Sequence, residues 1–209
     1  MSIAQGIFQT VWARCDNMAT LRGALIAQTA ATDVDDLLRA EWAARVAALD
    51  LYIHELVAER MVAIFAGQLA EPKAFSKLSL PVSVCERIRS ATSAPDAVAA
   101  FDLEIRRQLT LVTFQFPDQI ADGIRMTSDV ELWKAIAQNQ GATTRATDSK
   151  AKAIRANLKL IVERRNKIVH EGDLAPSFPR APWPIGQVEL ANAAAFLLAL
   201  VTSIELVVT

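Results

Sequence analysis

The spacing of apolar residues between positions 42 and 64 limits this chain more than any other feature. Trp42, Val46, Leu49, Ile53, Val57 and Ile64 recur at intervals of three, four and seven residues. That pattern is one stripe of a helix and not the alternation of a strand. It predicts a long amphipathic helix from about Val34 to Gly67, with Thr32 and Asp35 as a start cap and Gly67 and Pro72 as the stop. Composition extends this reading to the whole chain. Seven glycines and a single tyrosine in 209 residues leave few hairpin or strand signals, and the wealth of alanine and leucine favours helix. An apolar content of 52% excludes disorder and is enough to core one domain over residues 1–209. The expected fold class is all-α, an up-and-down helical bundle with additional short helices.

Other elements follow from local signals. A first amphipathic segment covers about residues 3–30. Residues 68–92 read as irregular, with a short helical piece around Val84–Ser90 after Pro81. Ser93-Ala-Pro-Asp96 combines a capping serine, an early proline and an acid, and its helix is expected to run to about Gln115, before Pro117. Short helices are expected near 118–126 and 130–139, the second started by Ser128 with Glu131 and closed by Gly141. Residues 141–149 read as a polar loop, and a long helix starts near Ser149. Asp173 to Ile185 holds four prolines and reads as a surface connection. The last helix spans about Gln187 to Val208. Its run Ala193–Val208 is very apolar, but Glu205 interrupts it. The run is short for a membrane span, so a buried bundle or dimer helix is expected.

Several function classes drop out. A net charge of −1 gives no global basic field, although a local Arg/Lys patch stays open. Cys15 and Cys85 read as reduced core residues, and two cysteines with two histidines at no close spacing do not make a zinc site. Neither a metal nor a cofactor is expected. The chain has no glycine-rich phosphate loop, no Gly-x-Ser-x-Gly elbow and no paired-carboxylate metal motif. The N-terminal residues lack the basic region and cleavage site of a signal peptide, so a cytoplasmic location without a membrane is expected.

One stretch carries chemistry: Glu163-Arg164-Arg165-Asn166-Lys167-Ile168-Val169-His170-Glu171-Gly172-Asp173. Arginine stabilises phosphate charge and stays ionised, while histidine moves protons near neutrality. At about 100° per residue, Ile154, Leu158, Ile161, Val162, Ile168 and Val169 share one face. Arg165 projects into that stripe, while Asn166 and His170 lie roughly 40° apart on another face. One helix therefore does not aim Arg165 and His170 at one spot. Either the helix loosens before Gly172, or two copies of the motif form a composite site in a homodimer. The plain structural alternative makes Arg165 a buried ion-pair partner and His170 a helix-end histidine favoured by the dipole.

Arg164-Arg165-Asn166-x3-His170 resembles the Arg-Asn-x3-His form of the Arg-x4–6-His signature of HEPN domains. Thr113–Arg125, Val130–Ala137 and Asp50–Leu56 are similar to segments of the RiboL-PSP-HEPN branch, so the resemblance covers about residues 40–209 and leaves residues 1–40 as an N-terminal helical extension. It implies a HEPN-like bundle, commonly dimeric, with endoribonuclease activity of the kind found in toxin–antitoxin, abortive-infection and phage-defence systems. Such a protein takes an RNA substrate and can have an antitoxin or defence-system partner. Carried over, Arg165 and His170 take the catalytic positions and Asn166 the polar position after the arginine. Arg164 fits the signature with a longer gap, so both arginines are candidates. Many HEPN sequences have an aromatic two places after the histidine; here that place is Gly172.

The implied reaction is metal-independent: the RNA 2′-hydroxyl attacks the adjacent phosphorus and leaves a 2′,3′-cyclic phosphate. His170 serves as base or acid and Arg165, with Arg164, as the charge stabiliser. Lesser candidates are Asp50, a possible partner for a motif arginine; His54, one turn on; and Glu171 and Asp173, acids at the helix end. Trp42 and Trp133 read as core, with base stacking as the sharper alternative for such aromatics. Two further readings compete: a non-catalytic HEPN-like module that binds RNA or nucleotide or scaffolds a defence complex, and a plain helical dimerisation protein.

Overall fold

The computed structural model describes residues 1–28 and 34–209. Its helices are α1 (Ile3–Gln28), α2 (Asp35–Phe65), α3 (Val82–Arg89), α4 (Ala94–Leu109), α5 (Pro117–Arg125), α6 (Leu132–Asn139), α7 (Thr147–Glu171) and α8 (Gln187–Val208), with one 3-10 turn at Phe75–Lys77. The described residues are thus all-α; an isolated antiparallel bridge joins Leu174 to Pro182. The start cap expected at Thr32 lies outside the described residues.

The stripe that predicted α2 also explains its place. Fifteen of its 31 residues are buried, against four of 26 in α1, so α2 is the central helix. It packs on α1, α4, α5, α7 and α8. Glu59 near the end of α2 accepts the free N–H groups of Ile3 and Ala4 at the start of α1, 3.3 and 3.1 Å away. Arg22 near the end of α1 meets Glu41 near the start of α2, so the pair is antiparallel. Between these points Arg45 is held by Glu41 and Asp16 and lies 4.5 Å over the Trp12 ring. Trp42 donates to the Ile161 carbonyl at 3.0 Å and fixes α2 against α7.

Helix α8 is long and apolar enough to cross a membrane, with a mean hydropathy of 2.0 over its most apolar stretch. In the structure one of its faces, including Leu197, Leu200, Val201 and Ile204, lies in the core. Glu205 interrupts the apolar run because three donors meet it: Ser2 N–H at 2.7 Å, Ser2 Oγ at 2.9 Å and Tyr52 Oη at 3.0 Å.

Four local expectations need correction. Helix α4 stops at Leu109, six residues before Gln115, because His54 takes the Leu109 carbonyl and Asp50 takes the Phe114 N–H. Ser128 does not cap α6; its hydroxyl accepts from the Val130 N–H at 3.2 Å, and Glu131 stands at the cap position without a side-chain capping bond. Helix α7 begins at Thr147, whose hydroxyl donates to the Thr143 carbonyl. Cys15 is buried as expected, but Cys85 is only partly buried; both thiols are free. Ser93 behaves as expected, accepting from the Asp96 N–H at 3.3 Å.

Candidate functional site

The motif occupies the last two turns of α7, and the helix does not loosen there. It stays regular to Glu171, and Gly172 (φ 64°) then turns the chain in the left-handed region. Asp173 follows at φ 57°, an uncommon conformation for a side chain-bearing residue. Its N–H reaches back to the Lys167 carbonyl at 2.9 Å and its carbonyl accepts from the Trp183 N–H at 2.7 Å.

What holds this turn is a buried carboxylate between two guanidinium groups. Asp173 is fully buried. Its Oδ2 accepts from Arg39 Nε of α2 at 2.9 Å and from Arg164 Nη2 at 2.8 Å. Arg39 also bonds Asp36 and the Trp183 carbonyl, and Arg164 bonds the Pro184 carbonyl at 3.0 Å. Burial opposes the Arg39 charge, but its hydrogen bonds to Asp173 and Asp36 outweigh that and raise its pKa above the ordinary guanidinium value. Of the two motif arginines, Arg164 is therefore the one committed to a structural ion pair. The acid that pairs with it is Asp173, and not Asp50.

Arg165 is different. It is half-buried and forms no ion pair among the described residues; its Nη1 donates to Asn166 Oδ1 at 3.0 Å, and its buried Nε, like that of Arg164, has no acceptor there. The guanidinium thus leans out of the apolar stripe toward the Asn166 face. His170, one turn beyond Asn166, is exposed and has no hydrogen-bond or ion-pair partner among the described residues. Val169, expected within the apolar stripe, is 47% exposed beside it. Glu171 is exposed as well. The structure therefore brings Arg165 and Asn166 together, leaves His170 exposed one turn beyond Asn166, and removes Arg164 and Asp173 to a scaffold. None of the main surface grooves among the described residues is lined by Arg165, Asn166 or His170.

Asp50 and His54 form a second cluster, on α2 and facing the end of α4. His54 Nδ1 lies 2.8 Å from the Asp50 carbonyl and 3.3 Å from Asp50 Oδ1. Its Nε2 lies 3.1 Å from the Leu109 carbonyl and 3.3 Å from that of Val112. Every neighbour of both ring nitrogens is an acceptor, so both nitrogens carry protons and the ring is an imidazolium. Burial disfavours that charge, but Asp50 and the Leu109 carbonyl outweigh it and raise the pKa to about 9. Asp50 is lowered in turn: burial would raise it, but bonds from His54, Gln115 and the Phe114 N–H prevail. His54 has no nitrogen free to act as a base, and it serves as a cation closing the C-terminus of α4.

Sequence reasoning missed Arg39. The signal was present: Arg39 lies three residues before Trp42 and seven before Val46, on the apolar stripe of α2, where a cation requires a buried acid. Among the described residues no group of three or more His, Cys, Asp or Glu side chains is placed to hold a metal ion. Comparison with family models, with curated proteins and with solved structures returned no match.

Proposed function

We propose that the protein is a metal-independent endoribonuclease of the HEPN kind, acting as a homodimer in a toxin–antitoxin, abortive-infection or other phage-defence setting. The observation that carries the reading is the contrast between neighbouring arginines. Arg164 is consumed by Asp173, whereas Arg165 has no ion-pair partner among the described residues and is bonded to Asn166, one turn before an unpartnered, exposed His170. Both arginines keep a buried Nε without an acceptor among the described residues; what sets Arg165 apart is that its charge has no carboxylate partner there, which suits an anionic ligand.

In the proposed reaction the 2′-oxygen forms a bond to phosphorus and the bond from phosphorus to the 5′-oxygen breaks. One His170 imidazole takes the 2′-hydroxyl proton, and a protonated imidazole supplies the proton that leaves with the 5′-oxygen. Arg165 stabilises the charge that builds on the phosphoryl oxygens, and Asn166 orients its guanidinium. Because α7 stays helical through Glu171, convergence of arginine and histidine on one phosphate calls for a second copy of the motif. The exposed Val169 offers that copy an apolar contact beside the histidine.

That Arg165, Asn166 and His170 line none of the main grooves among the described residues is the observation that favours the second reading, a non-catalytic module that binds RNA or scaffolds a complex. One experiment separates them. Purified protein incubated with single-stranded RNA in excess EDTA should yield fragments ending in 2′,3′-cyclic phosphate, and His170→Ala should yield none. Cleavage that needs metal, or that survives the substitution, refutes the proposal; intact RNA with the parent protein favours the module.

A further inference from the structure

A groove of about 740 Å³ lies away from Arg165 and His170. It lies between the 3-10 turn, α5, α6 and the first half of α7. Its floor is apolar, with Val130, Leu132, Trp133 and Ala151 among its residues. Trp133 is nine-tenths buried there, and its indole N–H has no acceptor. The rim carries Lys73, Lys77, Arg125, Lys134, Lys152 and Arg155 against the acids Asp129, Glu131 and Asp148. Three of the cations are answered: Arg125 by Asp122, Lys134 by Glu131 and Arg155 by Asp118. Lys73, Lys77 and Lys152 are exposed and have no ion-pair partner among the described residues. The lining thus sets six cations against three acids, a balance of +3 that Asp118 and Asp122 at its edge reduce to +1, in a chain whose net charge is −1.

The same helix links this groove to the motif. At about 100° per residue, Lys152, Arg155, Lys159, Asn166 and His170 fall within about 60° of one another on α7, and at about 1.5 Å per residue Arg155 lies roughly 22 Å along the axis from His170. Lys159 is exposed on this line and shares Glu163 at 3.6 Å. Compact ammonium groups beside an apolar trough suit a strand that alternates phosphates with flat bases. We propose that this groove and the α7 stripe form a phosphate-binding track that holds single-stranded RNA upstream or downstream of the bond to be cut. RNA as the ligand rests on the ribonuclease reading above; the charge distribution does not.

The test measures binding in the His170→Ala background, so that RNA survives whether or not the parent cuts it. A labelled oligo-uridine strand is titrated by fluorescence anisotropy from about 50 to 200 mM salt. Replacing Lys73, Lys77 and Lys152 together by glutamine, each exposed and unpaired, should leave the melting temperature in place. It should weaken binding at least about tenfold at the low-salt end and flatten the log–log salt slope by about 2, from about 0.7 per lost phosphate contact. Arg89→Gln, an exposed cation outside the groove, should change neither. An unchanged slope in the triple variant overturns the track. So does a parent protein that fails to bind, or polyglutamate that competes as well as RNA, since that ligand would be an acidic protein segment. Groove-dependent binding by a parent protein that never cuts RNA upholds the track and counts against the ribonuclease reading alone.

Discussion

Arg164→Ala and Arg165→Ala, adjacent substitutions of the same chemistry, should have opposite consequences. Arg164 is mostly buried, with its side chain 17% exposed, and bonds the fully buried Asp173 at 2.8 Å and the Pro184 carbonyl at 3.0 Å. Loss of a charge-assisted bond costs about 1.5–3 kcal/mol. Arg39 still neutralises Asp173 in this variant, so the expected loss is about 2–3 kcal/mol. At about 2–3 kcal/mol per molar for a chain of this size, the urea midpoint should fall by about 1 M. Arg165→Ala forfeits one bond to its neighbour Asn166, and it removes a buried Nε without an acceptor among the described residues, a gain that Arg164→Ala shares. These effects oppose one another, and the net change should stay within about 1 kcal/mol. Arg39→Ala completes a cycle: with both arginines gone, a bare carboxylate stays buried, a situation costing about 3–5 kcal/mol, so the double variant should lose more than the sum of the singles. Urea unfolding followed by circular dichroism reads the midpoints, and RNA cleavage by the folded variants reads the chemistry. Arg165→Ala should remain folded and inactive. Equal midpoint shifts for the two variants, or a larger one for Arg165, refute the division of labour.

The Asp50–His54 cluster predicts a pH dependence. His54 has a pKa of about 9 in the fold against an ordinary value of 6.5. A raised pKa contributes stability that is full below pH 6.5 and is lost as pH climbs through about 9. At about 1.4 kcal/mol per factor of ten, that amounts to about 2–3 kcal/mol for this partly exposed ring. Urea titrations across that range should show the loss in the parent, and His54→Gln should be flatter; identical profiles would remove the imidazolium from the account. Gly123→Ala tests the packing next door. An added Cβ would sit 2.6 Å from Cε1 of the buried Phe114 ring, which would have to shift. Overpacking of this kind costs about 1–3 kcal/mol, so the melting temperature should drop by about 3–10 °C; no drop would mean that Phe114 moves freely.

Where the sequence was legible, one helix face or one cap decided the outcome. The apolar stripe placed α2, and Ser93 with its early proline placed the start of α4. Helix ends resisted because distant side chains set them. The stop of α4 at Leu109 depends on His54 and Asp50, more than fifty residues earlier, and no local signal at Gln115 reports that. The same holds at the site. Helical phase correctly separated the Arg165 face from that of His170, but could not tell which arginine was taken. That choice was made by Asp173, which reads as a mere helix-end acid until Gly172 folds it back under α2. Val169 shows the opposite error: periodicity assigned it to the core, but the bundle ends before it and leaves it 47% exposed.

The rigidity of this corner bears directly on the functional reading. Two successive left-handed residues, a buried carboxylate and two arginines from different helices fix where α7 stops. Had the last turn unwound, Arg165 and His170 of one chain could have met, and no partner would be required. With α7 intact to Glu171, Asn166 can hand the guanidinium only part of the way round the helix, and His170 stays about 6 Å further along the axis. A single chain therefore presents a cation on one side and a proton carrier on the other, with an exposed valine between them. That arrangement is wasteful as a complete site and sensible as half of one. It makes dimerisation a requirement of the ribonuclease proposal: an active protein must bring two α7 ends together, and the fixed corner is what would let them meet in one geometry.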